Sequence, residues 1–259
     1  MNAYQKVQLA RSNLRPDANA YISRLIEGFI ELHGDRRYAD DAAVVAGLGY
    51  FEGQCVTVLS LEKGVDTPER LRRNFGSAQP EGYRKSLWHM RQAEKFKRPV
   101  LCLVDTAGAA CGMGAEERGQ GQAIAENLWE MMGLSVPVLS VIIGEGGSGG
   151  ALALACANRV YMLENAIYSV LSPEGAASII YKDAGKVEEA SEALKLSAQD
   201  MLRLGVIEEI LPEGREYELA LPAIRAAFSE ALKAYSGMGG EEIRGERYAR
   251  FRALGGESA

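Results

Sequence analysis

Residues 137–157 read PVLSVIIGEGGSGGALALACA, an apolar run that passes through glycines into a stretch of small residues. Pro137 to Ile142 is typical of a strand buried on both faces, as in parallel sheets covered by helices. Ala151 to Ala157 predicts a short helix, so the glycine segment Gly144–Gly150 lies between a strand and a helix. This order of elements indicates an α/β fold.

The same order of elements occurs once before, thirty-eight residues earlier in the chain. Pro99 to Val104 is another apolar run, Asp105 to Gly114 is rich in glycine, and a helix is predicted from Glu116. Eleven of the 29 glycines fall between Gly108 and Gly150. Because the carboxyl ends of parallel strands meet at one edge of a sheet, we expect the two glycine segments to face a common pocket.

Other elements follow from periodicity and turn signals. Tyr21 to Ile30 has apolar residues at helical spacing and predicts a helix. Val44 to Leu61 predicts two strands joined by a tight turn at Glu52-Gly53. Pro80 to Lys97 predicts a helix, and Ser172-Pro173-Glu174 predicts a helix start with a serine N-cap.

Composition and charge exclude several classes of protein. With 47% hydrophobic residues and a net charge of −6, the chain is neither disordered nor a general nucleic-acid binder. No apolar run approaches the ~20 residues of a membrane span, and no signal-peptide pattern occurs, so we expect a cytoplasmic protein without membrane contact. The four cysteines form no CxxC pair, so we expect no metal site. Residues 1–259 are predicted to be one domain, with a loose polar tail over roughly 237–259.

The segment Gly144–Gly150 matches two side-chain motifs. Gly144-x-Gly146-x-x-Gly149 fits the dinucleotide-binding fingerprint, although that fingerprint belongs in the first βαβ unit of a nucleotide domain. Gly146-x-Ser148-x-Gly150 fits the nucleophile elbow of hydrolases. Both histidines, His33 and His89, precede the serine, whereas the hydrolase order places the histidine after it.

A third interpretation of the glycine segments uses the backbone. Glycines at a helix N-terminus expose unpaired N–H groups, which the helix dipole reinforces, to a developing oxyanion. A Cβ atom would keep the reacting group away from these donors, so glycine would be required. Tight turns and close packing alone would also explain the glycines, and the sequence pattern leaves these alternatives open.

A basic stretch extends from Glu62 to Arg98, where ten Lys and Arg face five Asp and Glu. One interpretation is the solvated face of a helix. The other is a patch for an anionic ligand or an acidic partner, with Arg72 and Arg73 as candidate residues.

Several motifs, in order and over nearly the whole chain, resemble the short form of the carboxyltransferase alpha subunit of bacterial acetyl-CoA carboxylase. They are His33-Gly-Asp-Arg36, Ala39-Asp-Asp41, Arg73-Asn-Phe-Gly76, Pro80-Glu-Gly-Tyr-Arg-Lys85, Gly114-Ala-Glu-Glu-Arg-Gly-Gln120, the segment from Gly144 to Ala153, and Ser172-Pro-Glu-Gly175. The resemblance implies a crotonase-like α/β fold, a superhelix of repeated ββα units with peripheral helices.

The resemblance also implies an activity and its partners. The enzyme would transfer the carboxyl group of carboxybiotin, held on a separate biotin carboxyl carrier protein, to acetyl-CoA, giving malonyl-CoA in fatty-acid biosynthesis. It would act with a carboxyltransferase beta subunit in an α2β2 assembly, alongside biotin carboxylase. The zinc ribbon of the family belongs to the beta subunit.

The site residues implied by the resemblance are glycines. Gly149 and Gly150 would donate backbone hydrogen bonds to the biotin ureido oxygen. The remaining glycines expected to line the carboxybiotin pocket are Gly108, Gly112, Gly114, Gly146 and Gly147.

Two segments depart from the family pattern. The first loop, usually Asp-Thr-Pro/Ser-Gly-Ala-Tyr-Pro-Gly, is here Asp105-Thr-Ala-Gly-Ala-Ala-Cys-Gly112, and the usual His-Gln-Lys-Gly is Leu61-Glu-Lys-Gly64. These changes keep two further functions open. One is a divergent paralogue in another biotin-dependent acyl-CoA carboxylase or decarboxylase, and the other is a catalytically weak assembly partner.

Overall fold

In the computed structural model, which describes residues 1–255, an eight-stranded mixed sheet organises the chain. The sheet order is β1-β2-β3-β4-β5-β6-β8, and β7 pairs with the end of β5. The first three strands are antiparallel, whereas β3 to β6 and β8 are parallel. The strands are β1 (Glu27–Glu31), β2 (Val44–Phe51), β3 (Gln54–Leu61), β4 (Val100–Thr106), β5 (Val138–Gly147), β6 (Arg159–Leu163), β7 (Ile167–Ser169) and β8 (Glu209–Leu211).

Helices connect and cover the strands. The α-helices are α1 (Ala3–Ala10), α2 (Ala18–Leu25), α3 (Thr67–Arg72), α4 (Pro80–Lys95), α5 (Met113–Glu117), α6 (Gln120–Gly133), α7 (Ser148–Ala155), α8 (Pro173–Ala176), α9 (Val187–Ala193), α10 (Ala198–Arg203), α11 (Ala220–Tyr235) and α12 (Gly240–Ala253). Short 3-10 or π turns cover Asn74–Gly76, Ala177–Tyr181 and Ala184–Lys186. No helix within residues 1–255 is long and apolar enough to cross a membrane.

Several sequence predictions are confirmed. The β2–β3 hairpin turns at Glu52 and Gly53, which both have positive φ angles, as a two-residue type I′ turn requires. Helix α4 begins at Pro80 as predicted. The N-cap prediction also holds, because the Ser172 hydroxyl accepts a hydrogen bond from the Gly175 N–H at 3.1 Å.

The prediction of one helix over Tyr21–Ile30 is wrong in its second half. Helix α2 ends at Leu25, and Ile30 lies in edge strand β1 opposite Leu48. Gly28 has a φ of +59°, a conformation that does not continue a right-handed helix. The apolar pattern of this stretch is compatible with one long helix and equally with a short helix followed by a strand.

The prediction that Gly144–Gly150 separates the 137–142 strand from the next helix also needs correction. Strand β5 continues to Gly147, because Gly146 pairs with Thr106 of β4 on one side and with Tyr168 of β7 on the other. Helix α7 then starts at once with Ser148. The second glycine segment is therefore regular structure through its whole length.

The predicted loose tail is replaced by helix α12 over Gly240–Ala253. Arg247 of this helix is fully buried and donates hydrogen bonds to the carbonyl oxygens of Met131 (2.9 Å), Leu134 (2.7 Å) and Val136 (2.8 Å). Burial lowers the pKa of Arg247 to about 10. The prediction is wrong for α12, and its last four positions, 256–259, lie outside the described residues. The single-domain organisation stays a prediction.

Candidate active site

The two glycine segments lie backbone to backbone at the carboxyl ends of β4 and β5. A Cβ atom on Gly147 would lie 2.2 Å from the Ala107 carbonyl oxygen, and one on Gly150 would lie 2.5 Å from the Ala109 nitrogen. Such approaches are possible only for glycine, since no side-chain atom can occupy that space. The two segments therefore meet, and close packing explains these two glycines. That both segments face a common pocket stays a prediction.

The N-terminus of α7 has backbone donors that no side chain caps within the described residues. The first turn of a helix has N–H groups without intrahelical acceptors, and the helix dipole adds partial positive charge there. Ser148, the first residue of α7, has a φ of +53° and is exposed. A left-handed conformation in a residue with a side chain costs about 1–2 kcal/mol, so the abrupt change from strand to helix is maintained under strain.

Gly149 differs from its neighbours because it has open space beside it. The nearest atom to its Cβ position is Ile124 Cγ2 at 3.8 Å, an ordinary contact distance. Packing therefore does not require glycine at Gly149. Glycine at this position is explained if a ligand must reach the backbone N–H group, because a side chain would obstruct that approach.

An apolar cavity of about 330 Å³ opens at this helix end. Ser148, Gly149 and Leu152 of α7 form one side, and Tyr168 and Val170 are among the residues of the other. The volume lies within the range of small-ligand sites, which are mostly apolar with a few placed polar groups. The uncapped donors at the start of α7 supply such polar groups.

The backbone polar groups of the first glycine segment form hydrogen bonds within the protein. The Gly108 N–H donates to Thr106 Oγ1 at 3.0 Å, and the Thr106 hydroxyl donates to the Gly108 carbonyl at 2.9 Å. The Ala110 N–H donates to the Ala78 carbonyl, and Gln120 Nε2 donates to both the Ala78 and Ala110 carbonyls. Ala110, which departs from the family pattern, is thus held by two partners, Ala78 and Gln120, while Cys111 is exposed.

Of the other glycines predicted to line the pocket, Gly146 lies in the second segment, whereas Gly112 and Gly114 lie apart from it. Gly146 is buried in β5, where its Cβ position is 2.9 Å from Tyr168 Cδ2. Gly112 and Gly114 lie at the start of α5, and the nearest atom to the Cβ position of Gly114 is Arg118 Nη1 at 3.2 Å. No atom of residues 146–150 lies within 4 Å of the Cβ position of Gly112 or is among the atoms nearest to that of Gly114.

Five alternating charges join the strand ends beneath the glycine segments. Lys63 Nζ lies 3.0 Å from Asp105 Oδ1 and also bonds Glu145. Glu145 accepts from Arg11 Nε at 2.7 Å, and Arg11 Nη1 reaches Glu174 at 2.6 Å. Burial alone would raise the pKa of Glu145, but Lys63 and Arg11 bring it below its usual value.

This ionic chain was not predicted from the sequence. The available signal was that Lys63, Asp105 and Glu145 each follow or end an apolar run, and such positions meet at one edge of a parallel sheet. Arg11 and Glu174 carried no comparable signal, because they approach from elements distant in sequence.

The predicted patch of Arg72 and Arg73 is not a continuous surface. Arg73 is only 9% exposed and donates to Glu69 Oε1 at 2.9 Å and to the Ala42 carbonyl at 2.8 Å. Arg72 also reaches Glu69 Oε1, at 3.4 Å from its Nη2, but its side chain is 60% exposed. The prediction is wrong for Arg73, which has a structural role, and it stays a prediction for Arg72.

Neither histidine is placed as a base for Ser148. His33 Nδ1 bonds Asp40 Oδ2 at 2.9 Å in the segment after β1. His89 is buried in α4, where burial lowers its pKa to about 4. Within residues 1–255, no group of three or more His, Cys, Asp or Glu is arranged to hold a metal ion.

Comparisons with known proteins agree with the geometry. A family model described as "Acetyl co-enzyme A carboxylase carboxyltransferase-like" matches residues 1–255. The chain is 54% identical to a protein of Ruminiclostridium cellulolyticum named "Acetyl-coenzyme A carboxylase carboxyl transferase subunit alpha", over 98% of both chains. It is 49% identical to the protein of the same name from Halalkalibacterium halodurans, over 98% of this chain and 80% of that one.

Solved structures show the same fold at low sequence identity. The transcarboxylase 12S core superposes with a TM-score of 0.72 and 20% identity over 86% of this chain and 42% of that one. A Pseudomonas malonate decarboxylase hetero-tetramer in complex with coenzyme A gives 0.66 and 22%, over 83% of this chain and 91% of that one. The crotonase-like fold expected from the sequence is confirmed.

Proposed function

The chain belongs to the family of acetyl-CoA carboxylase carboxyltransferase alpha subunits, and from this membership we propose that it transfers a carboxyl group from carboxybiotin to acetyl-CoA. The product would be malonyl-CoA, for fatty-acid biosynthesis in the cytoplasm. The proposed partners are a carboxyltransferase beta subunit in an α2β2 assembly, a biotin carboxyl carrier protein and biotin carboxylase. These assignments rest on the family, whose members are enzymes of this reaction.

The observation that carries the proposal is the uncapped start of α7 beside an apolar cavity. When bound, carboxybiotin would supply the carboxyl group, whose departure would leave negative charge on the ureido oxygen, and that ureido anion would take up the methyl proton that acetyl-CoA loses on carboxylation. The N–H groups of Gly149 and Gly150 stabilise that charge, aided by the dipole of α7. A donor of this kind is worth about 3–4 kcal/mol in the transition state.

The other residues of the site hold these donors and shape the cavity. Leu152, Tyr168 and Val170 exclude water around the apolar part of the ligand. The first glycine segment braces the start of α7, since Ala107 and Ala109 lie against Gly147 and Gly150. Ser148 takes no chemical role in this mechanism.

The test is a Gly149→Val variant assayed with a matching beta subunit for malonyl-CoA decarboxylation in the presence of free biotin. Since Gly149 has open space beside it, the variant should fold and assemble, while the added methyl groups obstruct the donors. We expect activity to fall by about 10²–10³, the loss seen when an oxyanion donor is removed. Gly121→Val is the control, because nothing lies within 4 Å of its Cβ position on α6.

Three outcomes would redirect the proposal. Normal activity of Gly149→Val would contradict the role of the α7 donors. A stable wild-type complex without turnover would favour a catalytically weak assembly partner, and turnover only with longer acyl groups would favour a divergent paralogue.

A further inference from the structure

The basic stretch predicted from the sequence contributes to a cationic cavity on the outer side of α4. The cavity has a volume of about 140 Å³ and is lined by Arg84, Trp88 and Arg91 of α4 together with Arg36 and Arg37. It shares no lining residue with the cavity at α7. We propose that this cavity binds a small phosphate-bearing anion at a site separate from the glycine site.

The charges around the cavity are only partly balanced. Asp35, which also lines it, is committed to Arg84 Nε at 2.7 Å and to the backbone N–H groups of residues 37, 38 and 39. Arg91 pairs with Glu130 at 2.6 Å but remains half exposed. Within residues 1–255, no carboxylate forms an ion pair with Arg36 or Arg37. The cavity therefore keeps a positive charge that an anion would neutralise.

The guanidinium groups are held in place, which lowers the entropic cost of binding. Arg84 is fixed by Asp35 and donates from Nη1 to the Arg118 carbonyl at 3.1 Å. Arg36 lies over the Trp88 ring, with its guanidinium carbon 4.2 Å from the ring centroid, and donates to the Gly34 carbonyl at 2.6 Å. Planar guanidinium forks match the oxygens of a phosphate better than a lysine ammonium does.

The shape of the site favours a small ligand over a protein surface. The arginines converge on a concave space beside the Trp88 indole, one face of which Arg36 covers, so that a phosphate group meets several guanidinium groups within one small cavity. An acidic protein segment would be matched better by an open row of lysines and arginines. The proposal does not depend on the carboxyltransferase reaction.

Trp88 provides a direct probe of binding, because the chain has only two tryptophans and the other, Trp129, is 82% exposed on α6. In a Trp129→Phe background, Trp88 is the sole indole. The full chain is titrated with sodium pyrophosphate at low, constant ionic strength, and then with inorganic phosphate and adenosine monophosphate. We expect a saturable change in Trp88 emission, which added salt weakens.

Variants assign the effect to the cavity. Arg37→Gln combined with Arg91→Gln should weaken pyrophosphate binding at least ten-fold. The matched control is Arg203→Gln, an exposed arginine whose pair with Asp200 at 2.7 Å resembles that of Arg91 with Glu130. Both variant proteins are compared with the parent by thermal unfolding, and Arg37→Gln alone is measured if the double variant does not fold.

The outcomes separate the ligand sources. Tighter binding of adenosine monophosphate than of pyrophosphate would identify a nucleotide phosphate, and the reverse would identify a free polyphosphate; both support the site. Absence of a saturable change with all three probes, or equal pyrophosphate affinity in the arginine variants, would overturn the proposal. Tighter binding of a hexaglutamate peptide than of any phosphate would overturn it in favour of an acidic protein partner.

Discussion

The two glycine segments are both rich in glycine, but their backbone N–H groups differ in whether they have hydrogen-bond partners within the protein. In the first, the Gly108 and Ala110 N–H groups donate to Thr106 and Ala78, so the polar groups brace the loop. In the second, β5 passes directly into α7, and the first N–H groups of the helix have no side-chain cap within the described residues. A glycine-rich sequence after a strand therefore does not identify a donor site until the partners of each N–H group are known.

The largest effect should follow from Gly147→Ala, which tests whether the two segments must touch. The new Cβ atom would lie 2.2 Å from the Ala107 oxygen, and backbone atoms cannot move aside as a side chain end can. We expect a loss of more than about 3 kcal/mol in the free energy of unfolding, measured with urea. Gly121→Ala, in open space on α6, should be neutral or slightly stabilising.

Lys63→Met tests the ionic chain beneath both segments. Lys63, Asp105 and Glu145 are 13%, 10% and 7% exposed, so removing the lysine leaves two nearly buried carboxylates close together. We expect a loss of about 2 kcal/mol, less than for a fully buried pair because Arg11 still contacts Glu145. Lys186→Met, at an exposed pair with Glu189, is the control and should change stability by less than about 0.5 kcal/mol.

The same variant has a predicted pH dependence. The pKa of Glu145 is lowered in the folded protein from a usual value of 4.5, so its ionised form stabilises the protein above that pH. This contribution is lost as the pH falls through the folded pKa. Without Lys63, one of the two cations that lower the pKa of Glu145 is lost, so this pKa should rise and the acid-side loss of stability should begin at higher pH. Unfolding curves between about pH 3 and 6 measure the shift, and an unchanged profile would contradict the electrostatic role of the ionic chain.

Thr106→Val tests the internal brace of the first segment. Thr106 is fully buried, and valine has a similar shape but cannot pair with the Gly108 N–H and carbonyl. We expect a loss of about 1–2 kcal/mol, with carboxyltransferase activity of the folded protein reduced only a few-fold. A loss of activity as large as that of Gly149→Val would mean that the first segment acts in the chemistry itself.

Ser148→Ala should have the smallest effect. The serine is exposed and has no histidine partner, and alanine is about as strained at its φ of +53°. We expect the kcat of decarboxylation to stay within two-fold of the wild type. Complete loss of activity would restore the nucleophile-elbow interpretation.

Local signals in the sequence were enough for much of the fold. The apolar runs after Pro99 and Pro137 predicted the central strands, because strands buried on both faces are formed mostly by apolar side chains. The turn at Glu52-Gly53 and the N-cap at Ser172 depend on adjacent residues only. The family resemblance then supplied the arrangement of these elements.

Other features depend on residues distant in the chain. Tyr21–Ile30 was predicted as one helix because the pairing of Ile30 with Leu48 leaves no mark in the local period. Arg72 and Arg73 are adjacent in sequence but differ in burial, since only Arg73 reaches the Ala42 carbonyl. The partner of the Gly108 N–H, which decides whether that group is a donor for a ligand, likewise becomes visible only in three dimensions.

The buried guanidinium of α12 has a consequence for synthesis of the chain. Arg247 follows the carbonyls of Met131, Leu134 and Val136 by 116, 113 and 111 positions. Until residue 247 leaves the ribosome, these carbonyls lack the donors that satisfy them inside the fold, and an unpaired buried polar group is costly. A chain that stops short of α12 therefore leaves the junction of α6 and β5 without the Arg247 donors and is expected to be less stable there.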